Sequence, residues 1–279
     1  MLINSTDRKL DIIILAGQSN AEGYGIGPCD KPFCPDPRIM SMRDTDNYGY
    51  VVDNMTYDEF KISLPRRYLI NLAEERQSTT GKIGCLALSF AEEYIKFILS
   101  PDRSILIIHS AVGATGFAKK HWGLEDVLYK RLVRMTELAL GMNPENRVRA
   151  ILWHQGEHET AHTTDVADED LGAIHTCNFN NIFNDLRVRF GECPVLMGGF
   201  CEEWSEGCPK ADIIRTATER SAVQLGNALL LSSRGLESNN TVFKNGDAIH
   251  FSHNSLSIFG RRYFEAYAKI IQANLCNKP

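Results

Sequence analysis

A doubly wound α/β fold with a central parallel sheet is the architecture this sequence predicts, and three observations carry it. Five short apolar runs recur along the 279 residues, segments with apolar positions at helical spacing separate them, and the alternation persists to the last element. Short apolar runs of this kind are strands buried on both faces. Strand and helix in alternation imply βαβ crossovers, which lay helices over both faces of one sheet.

DIIILAG (11–17) supplies the first strand. Residues 28–80, rich in Pro, Asp and Asn, read as a loop-rich excursion within a single domain spanning 1–279. In open parallel sheets such excursions leave the carboxyl ends of strands, where ligands bind. LSFAEEYIKFIL (88–99) is helical, SILIIHSAVG (104–113) is the second strand, and LEDVLYKRLVRMTELALG (124–141) is helical again. VRAILWHQG (148–156), CPVLMGGF (193–200) and NALLLSSRG (227–235) are the remaining strands. FNNIFNDLRVRFG (179–191) and ADIIRTATERSAVQLG (211–226) are the helices between them, and NSLSIFGRRYFEAYAKIIQANL (254–275) is a terminal amphipathic helix.

With 43% hydrophobic and 23% charged residues the composition is that of a soluble protein, and a chain of this length buries roughly 75% of its unfolded surface. A formal charge of −5 without a basic stripe argues against a nucleic-acid partner. No apolar stretch approaches bilayer length, so no membrane partner is expected. The start MLINSTDRKLDIIILAG lacks the basic and apolar regions of a signal peptide, so the chain as given reads as cytoplasmic, or as secreted if an upstream signal was removed. The eight cysteines read mostly as free thiols; Cys29 with Cys34 and Cys201 with Cys208 are the pairs that could close local loops in an exported protein.

Chemistry gathers at the predicted strand ends. Ser19 follows the first strand in AGQSN, where a following helix would aim N–H groups at a nucleophile; the plainer reading is a helix cap. GQSNA is not the GxSxG elbow, because Ala21 stands where glycine is needed, and Gly23, Gly25 and Gly27 match no nucleotide loop. In GDAIHFS, Asp247 and His250 stand three apart, as an orienting acceptor and a base require; His253 is the competing base, and the aspartate at minus three favours His250. Gly113 can offer an unobstructed backbone N–H and Gln155 a side-chain amide to an oxyanion. Trp122 and Trp204 read as a stacking surface for a sugar or as ordinary packing.

The stretch WHQGEHETAH (153–162) also spells zinc motifs, HxxEH from His154 to His158 and HExxH from His158 to His162 with Glu159 as base. Gly156 interrupts a helix through the first, and the second lies in a polar segment with almost no apolar face, so it reads as a coincidence on a polar loop. A zinc-dependent metallohydrolase is the alternative that this spelling keeps open.

AGQSN with Ser19, AVGAT with Gly113, WHQGE with Gln155 and Glu157, and DAIHFS with Asp247 and His250 occur in one order. In these the chain resembles the SGNH hydrolases, and among them the sialate O-acetylesterase-like group that includes carbohydrate esterase family 6. The resemblance runs from about residue 11 to the terminal helix. It implies a three-layer α/β/α flavodoxin-like fold and removal of acetyl groups from O-acetylated carbohydrates, of sialic acid or xylan type, without metal or cofactor. By the same resemblance Ser19 is the nucleophile, His250 the base, and Asp247 its orienting partner. Ser19, Gly113 and Gln155 form the oxyanion hole, and Glu157 supports the Gln155 loop or a neighbouring strand end. A non-catalytic carbohydrate-binding relative is a further alternative. Ala21, Ala114 and His158-Glu159 depart from the family's usual Met, Gly and Ser-Asp or Ser-Asn.

Overall fold

The computed structural model describes residues 8–44, 68–79, 81–162 and 166–276. The first strand, β1 (Lys9–Gly17), runs into a single helical turn, α1 (Ser19–Glu22). The excursion is not all loop: it contributes β2 (Ile39–Asp44), β3 (Tyr68–Leu72) and β4 (Arg76–Ser78), the last pairing with β5 (Gly81–Ile83) in a small hairpin. The part of the excursion at 45–67 lies outside the described residues.

After the hairpin come α2 (Leu86–Phe97), β6 (Arg103–His109), α3 (Val127–Gly141) and β7 (Arg147–His154). Next are α4 (Glu157–His162), α5 (Asp168–Phe190), β8 (Val195–Gly198), α6 (Glu202–Ser205) and α7 (Pro209–Leu225). The chain closes with β9 (Ala228–Leu231), α8 (Asn239–Phe243) and α9 (His253–Cys276).

The main sheet has the order β3-β2-β6-β1-β7-β8-β9. The five strands predicted from sequence, β1, β6, β7, β8 and β9, pair in parallel in the order second-first-third-fourth-fifth, which is the flavodoxin-like order. The excursion extends this sheet beyond β6 with parallel β2 and an antiparallel edge, β3.

Alternation along β1 divides the core. Leu10, Ile12, Ile14 and Ala16 face the layer of α3 and α5, with Leu132, Phe179 and Phe183 fully buried there. Ile13 and Leu15 face α2 and α9, where Phe90, Tyr94, Phe259 and Tyr263 are buried. Each such apolar side chain contributes about 1.5–3 kcal/mol on leaving water. Asp11 is the polar exception on β1: it accepts from Arg103 Nε at 2.7 Å, Tyr94 Oη at 2.7 Å and Arg147 Nε at 3.0 Å. All eight cysteines are unpaired. None of the described helices is long and apolar enough to cross a membrane.

Candidate active site

Two strands approach so closely at the carboxyl edge of the sheet that Gly17 is required. A Cβ there would lie 2.1 Å from the His154 carbonyl oxygen, and its φ of 120° is one that side chains resist. The Gln18 N–H donates to that same oxygen at 2.8 Å, and the chain then turns into α1, which begins at the buried Ser19. One helical turn carries little dipole. What the turn offers instead is the Ser19 N–H itself, which no acceptor takes among the described residues.

Asp247 and His250 meet as their spacing requires. His250 Nδ1 lies 2.9 Å from Asp247 Oδ1 and 3.0 Å from Oδ2, and Asn239 Nδ2 donates to Oδ2 at 2.9 Å. Burial works to raise the Asp247 carboxyl, but the hydrogen bonds from His250 and Asn239 outweigh it and hold the group below the ordinary aspartate range. With Nδ1 committed to the carboxylate, Nε2 is the nitrogen left for a nucleophile. His253 is excluded as the base because both its nitrogens are engaged, Nδ1 with the Gly27 carbonyl at 3.1 Å and Nε2 with Glu75 Oε1 at 2.8 Å.

Asn20, beside Ser19, binds both neighbours of His250. Its Nδ2 donates to the Ile249 carbonyl at 3.1 Å, and its Oδ1 accepts the Phe251 N–H at 3.1 Å. The same Nδ2 donates to Glu157 Oε1 at 2.8 Å, and His154 Nε2 lies 3.1 Å from that oxygen. Glu157 thus ties the end of β7 to the Ser19 turn. Burial presses its carboxyl upward, and the neighbouring His154 together with the Asn20 bond brings it below the usual glutamate range.

Gly113 lies against Ser19, where an added Cβ would stand 3.6 Å from Ser19 Cβ. Its N–H is not open: it donates to Glu22 Oε2 at 2.7 Å. Arg76 holds the other Glu22 oxygen at 3.3 Å, donates to the Gly23 carbonyl, and sits 5.7 Å over the Tyr24 ring. Tyr24 in turn stacks on His250, with centroids 5.1 Å apart and planes at 21°. One guanidinium therefore braces both the Gly113 turn and the His250 ring. Sequence reading missed Glu22, Tyr24 and Arg76; the cue within reach was an acid and an aromatic directly after GQSN.

Gln155 is buried, and its amide donates to Glu159 Oε1 at 2.8 Å and to the Thr115 carbonyl at 3.3 Å. Of the three donors expected at an oxyanion, the Ser19 N–H alone is unengaged, while carboxylates face the other two.

HETAH does not lie on a polar loop. Its residues fall in α4, in which Glu157, His158 and Glu159 are buried without an apolar face and are tied down by hydrogen bonds to the Glu157 and Glu159 carboxylates and from the His158 backbone. Gln18 Oε1 accepts the His158 N–H at 3.1 Å, and Glu159 accepts the N–H groups of Phe117 at 2.6 Å and Ala118 at 3.0 Å. Both Glu159 oxygens are thus spent on stapling the loop after Gly113, which is poor preparation for a metal-site base. The His162 side chain lies outside the described residues. Trp122 is fully buried, donates to Thr115 Oγ1 at 2.9 Å and packs edge-on to Trp153, so it offers no sugar platform; Trp204 packs edge-on to Phe200.

In comparison with known proteins, 204 residues are 28% identical to the "Probable 9-O-acetyl-N-acetylneuraminic acid deacetylase" of Escherichia coli (strain K12), covering 63% of this chain. The match spans 59% of that relative's length. Among solved structures, NanS superposes with a TM-score of 0.69 at 19% identity, over 96% of this chain and 99% of that one. A protein from Arabidopsis thaliana follows at 0.63 and 19%, over 93% and 98%. A carbohydrate acetylesterase from Xanthomonas citri follows at 0.60 and 15%, over 94% and 57%. These structural likenesses speak for the fold. The profile of the family described as "Carbohydrate esterase, sialic acid-specific acetylesterase" matches residues 9–269, nearly the whole sheet and its helices, and the chain belongs to that family.

Proposed function

We propose that this chain is a serine esterase that removes acetyl groups from O-acetylated carbohydrates through a Ser-His-Asp acyl-enzyme mechanism. One observation carries the reading: His250 is paired to Asp247 through Nδ1 while both of its neighbours are clamped to Asn20, the residue after Ser19. Family membership and the acetyl-sugar relative support the substrate class.

In the forward step Ser19 Oγ attacks the acetyl carbonyl, and its proton passes to His250 Nε2. Asp247, held ionised, balances the imidazolium. The carbonyl oxygen becomes an oxyanion and takes the open Ser19 N–H. Collapse breaks the bond to the sugar oxygen, which leaves with the proton from His250 and gives acetyl-Ser19 and free sugar. Water, deprotonated by His250, then attacks the acetyl-Ser19 carbonyl. Acetate departs, and Ser19 recovers its proton.

Ser19→Ala removes the attacking oxygen, so hydrolysis of p-nitrophenyl acetate should vanish while chelator leaves the unaltered enzyme fully active. Survival of hydrolysis in Ser19→Ala together with loss in chelator would refute the serine reading and restore the metal one.

A further inference from the structure

Asp247 is half-buried, and the torsion that sets the plane of its carboxylate is intrinsically broad, so that plane depends on what holds the two oxygens. His250 Nδ1 lies almost equally far from both, at 2.9 Å and 3.0 Å, so the ring alone does not select one. The His250 N–H reaches Oδ1 at a long 3.3 Å. Beyond His250, Oδ2 takes one donor among the described residues, Asn239 Nδ2 at 2.9 Å, from the first residue of α8.

Asn239 is 1% exposed, and every polar atom of its carboxamide is engaged. Besides Asp247, Nδ2 donates to the Tyr24 carbonyl at 3.0 Å, and Oδ1 accepts the Ile26 N–H at 3.0 Å. These partners permit one orientation. A flipped amide would set its oxygen against a carboxylate and a carbonyl, and its NH2 group against an N–H. The donor is therefore fixed on Asp247. The same amide reaches His250 by a second route, because Tyr24, whose carbonyl it holds, stacks its ring on the imidazole.

The turn that carries Asn239 is anchored from outside the catalytic cluster. Glu203, exposed on α6, accepts from Ser238 Oγ, Asn240 Nδ2 and Thr241 Oγ1, residues on either side of Asn239. Those hydrogen bonds, from Ser238 first, then Thr241 and Asn240, bring the Glu203 carboxyl down to about 2, so it stays an acceptor at neutral pH. Backbone bonds complete the frame: the Asn239 N–H donates to the His250 carbonyl and the Asn240 N–H to the Asp247 carbonyl, each at 2.8 Å. They do not use the Asn239 side chain, so shortening that side chain leaves the turn its course.

We infer that Asn239 is a positioning residue for Asp247, holding its carboxylate in the plane that His250 Nδ1 needs, and that Glu203 acts through it from the surface. The assignment deepens the esterase reading and rests on it, since orienting Asp247 matters only where His250 is the base. Asn20 fixes the backbone on both sides of His250, and Asn239 fixes the acid behind the ring.

A double-mutant cycle on p-nitrophenyl acetate hydrolysis tests this, with melting curves to establish folding. Asn239→Ala should lower kcat by about tenfold with KM little changed, the value of one hydrogen bond to a charged group. Combined with Asp247→Ala, whose residual turnover is read at raised enzyme concentration, it should cost nothing further, because no carboxylate remains to orient. Glu203→Ala, a surface change, should lower kcat by less than Asn239→Ala does and should likewise add nothing to Asp247→Ala. If Asn239→Ala fails to fold, the Glu203 cycle decides. Unchanged kcat in either folded single variant, or equal losses with and without the Asp247 carboxylate, would overturn the inference. The esterase reading fails on a different result, turnover that Ser19→Ala retains.

Discussion

Asn20 Nδ2 lies 2.8 Å from Glu157 Oε1, a buried hydrogen bond that joins the residue after Ser19 to the first residue of α4. The same amide holds Ile249 and Phe251 on either side of His250. Three segments far apart in sequence therefore meet on one side chain. Asn20→Ala removes the clamp and leaves Glu157 with His154 as its remaining side-chain donor. Loss of buried partners costs about 1–3 kcal/mol of stability. Because the base loses its alignment, kcat on p-nitrophenyl acetate should fall by about tenfold to a hundredfold with KM little changed. An unchanged kcat at full occupancy of the fold would remove Asn20 from the positioning of His250.

Arg76 acts through two contacts, Glu22 beneath Gly113 and the Tyr24 ring that stacks on His250. Arg76→Met keeps length and loses both charge and donors. It should lower kcat by about tenfold, as expected for a lost set of charged hydrogen bonds. Arg76→Lys should recover part of the loss. Steady-state kinetics beside melting curves separates this from unfolding: equal kinetics in all three proteins would contradict the brace.

Glu159 distinguishes a staple from a metal-site base. Its carboxylate takes two backbone N–H groups and the Gln155 amide, so Glu159→Ala orphans three donors and should destabilise the fold by about 2–4 kcal/mol. Burial pushes the Glu159 carboxyl up, and Glu159→Gln, which stays neutral, should be milder in urea unfolding. A variant of native stability with hydrolysis abolished would instead fit a base at a metal.

Acid should weaken the fold through Asp11. Burial acts to raise this carboxyl, but hydrogen bonds from Tyr94 and Arg147 and the charge of Arg103 bring it below 3.8. A carboxyl depressed in the folded state stabilises the fold at pH above about 4, and that contribution disappears as pH falls through the folded value. Asp11→Asn should cost about 3–5 kcal/mol at pH 7, because it strands the buried Arg103. Its stability should also fall less steeply below pH 4. Parallel acid slopes for the two proteins in urea titrations would show that Asp11 does not carry the linkage.

The parts legible in the sequence share a physical signal. β1, β6, β7 and β8 are buried on both faces and β9, at the sheet edge, is still an apolar run, so apolar runs announce all five; Ser19, Gly113 and Gln155 follow the ends of β1, β6 and β7, while Asp247 and His250 lie between α8 and α9. β2 and β3 give no strand signal because IMSMRD and YLINL are short and mixed, lying toward one sheet edge. α4 looks like a polar loop in the sequence because its burial rests on hydrogen bonds, which leave no hydrophobic period. Arg76, 54 residues from Glu22, carries no local pattern at all. Nor does the sequence reveal that Gly113 and Gln155 donate to carboxylates, since those contacts depend on side-chain placement.

A serine mechanism passes through an acetyl-enzyme on Ser19. Rapid quenching during turnover of p-nitrophenyl acetate, followed by peptide mass mapping, reads it directly. One acetyl group is expected on the peptide containing Ser19, formed in a burst equal to the enzyme concentration when deacylation limits turnover, and absent from Ser19→Ala. Active enzyme that shows neither burst nor acetylated Ser19 peptide, and loses its turnover to chelator, would contradict it.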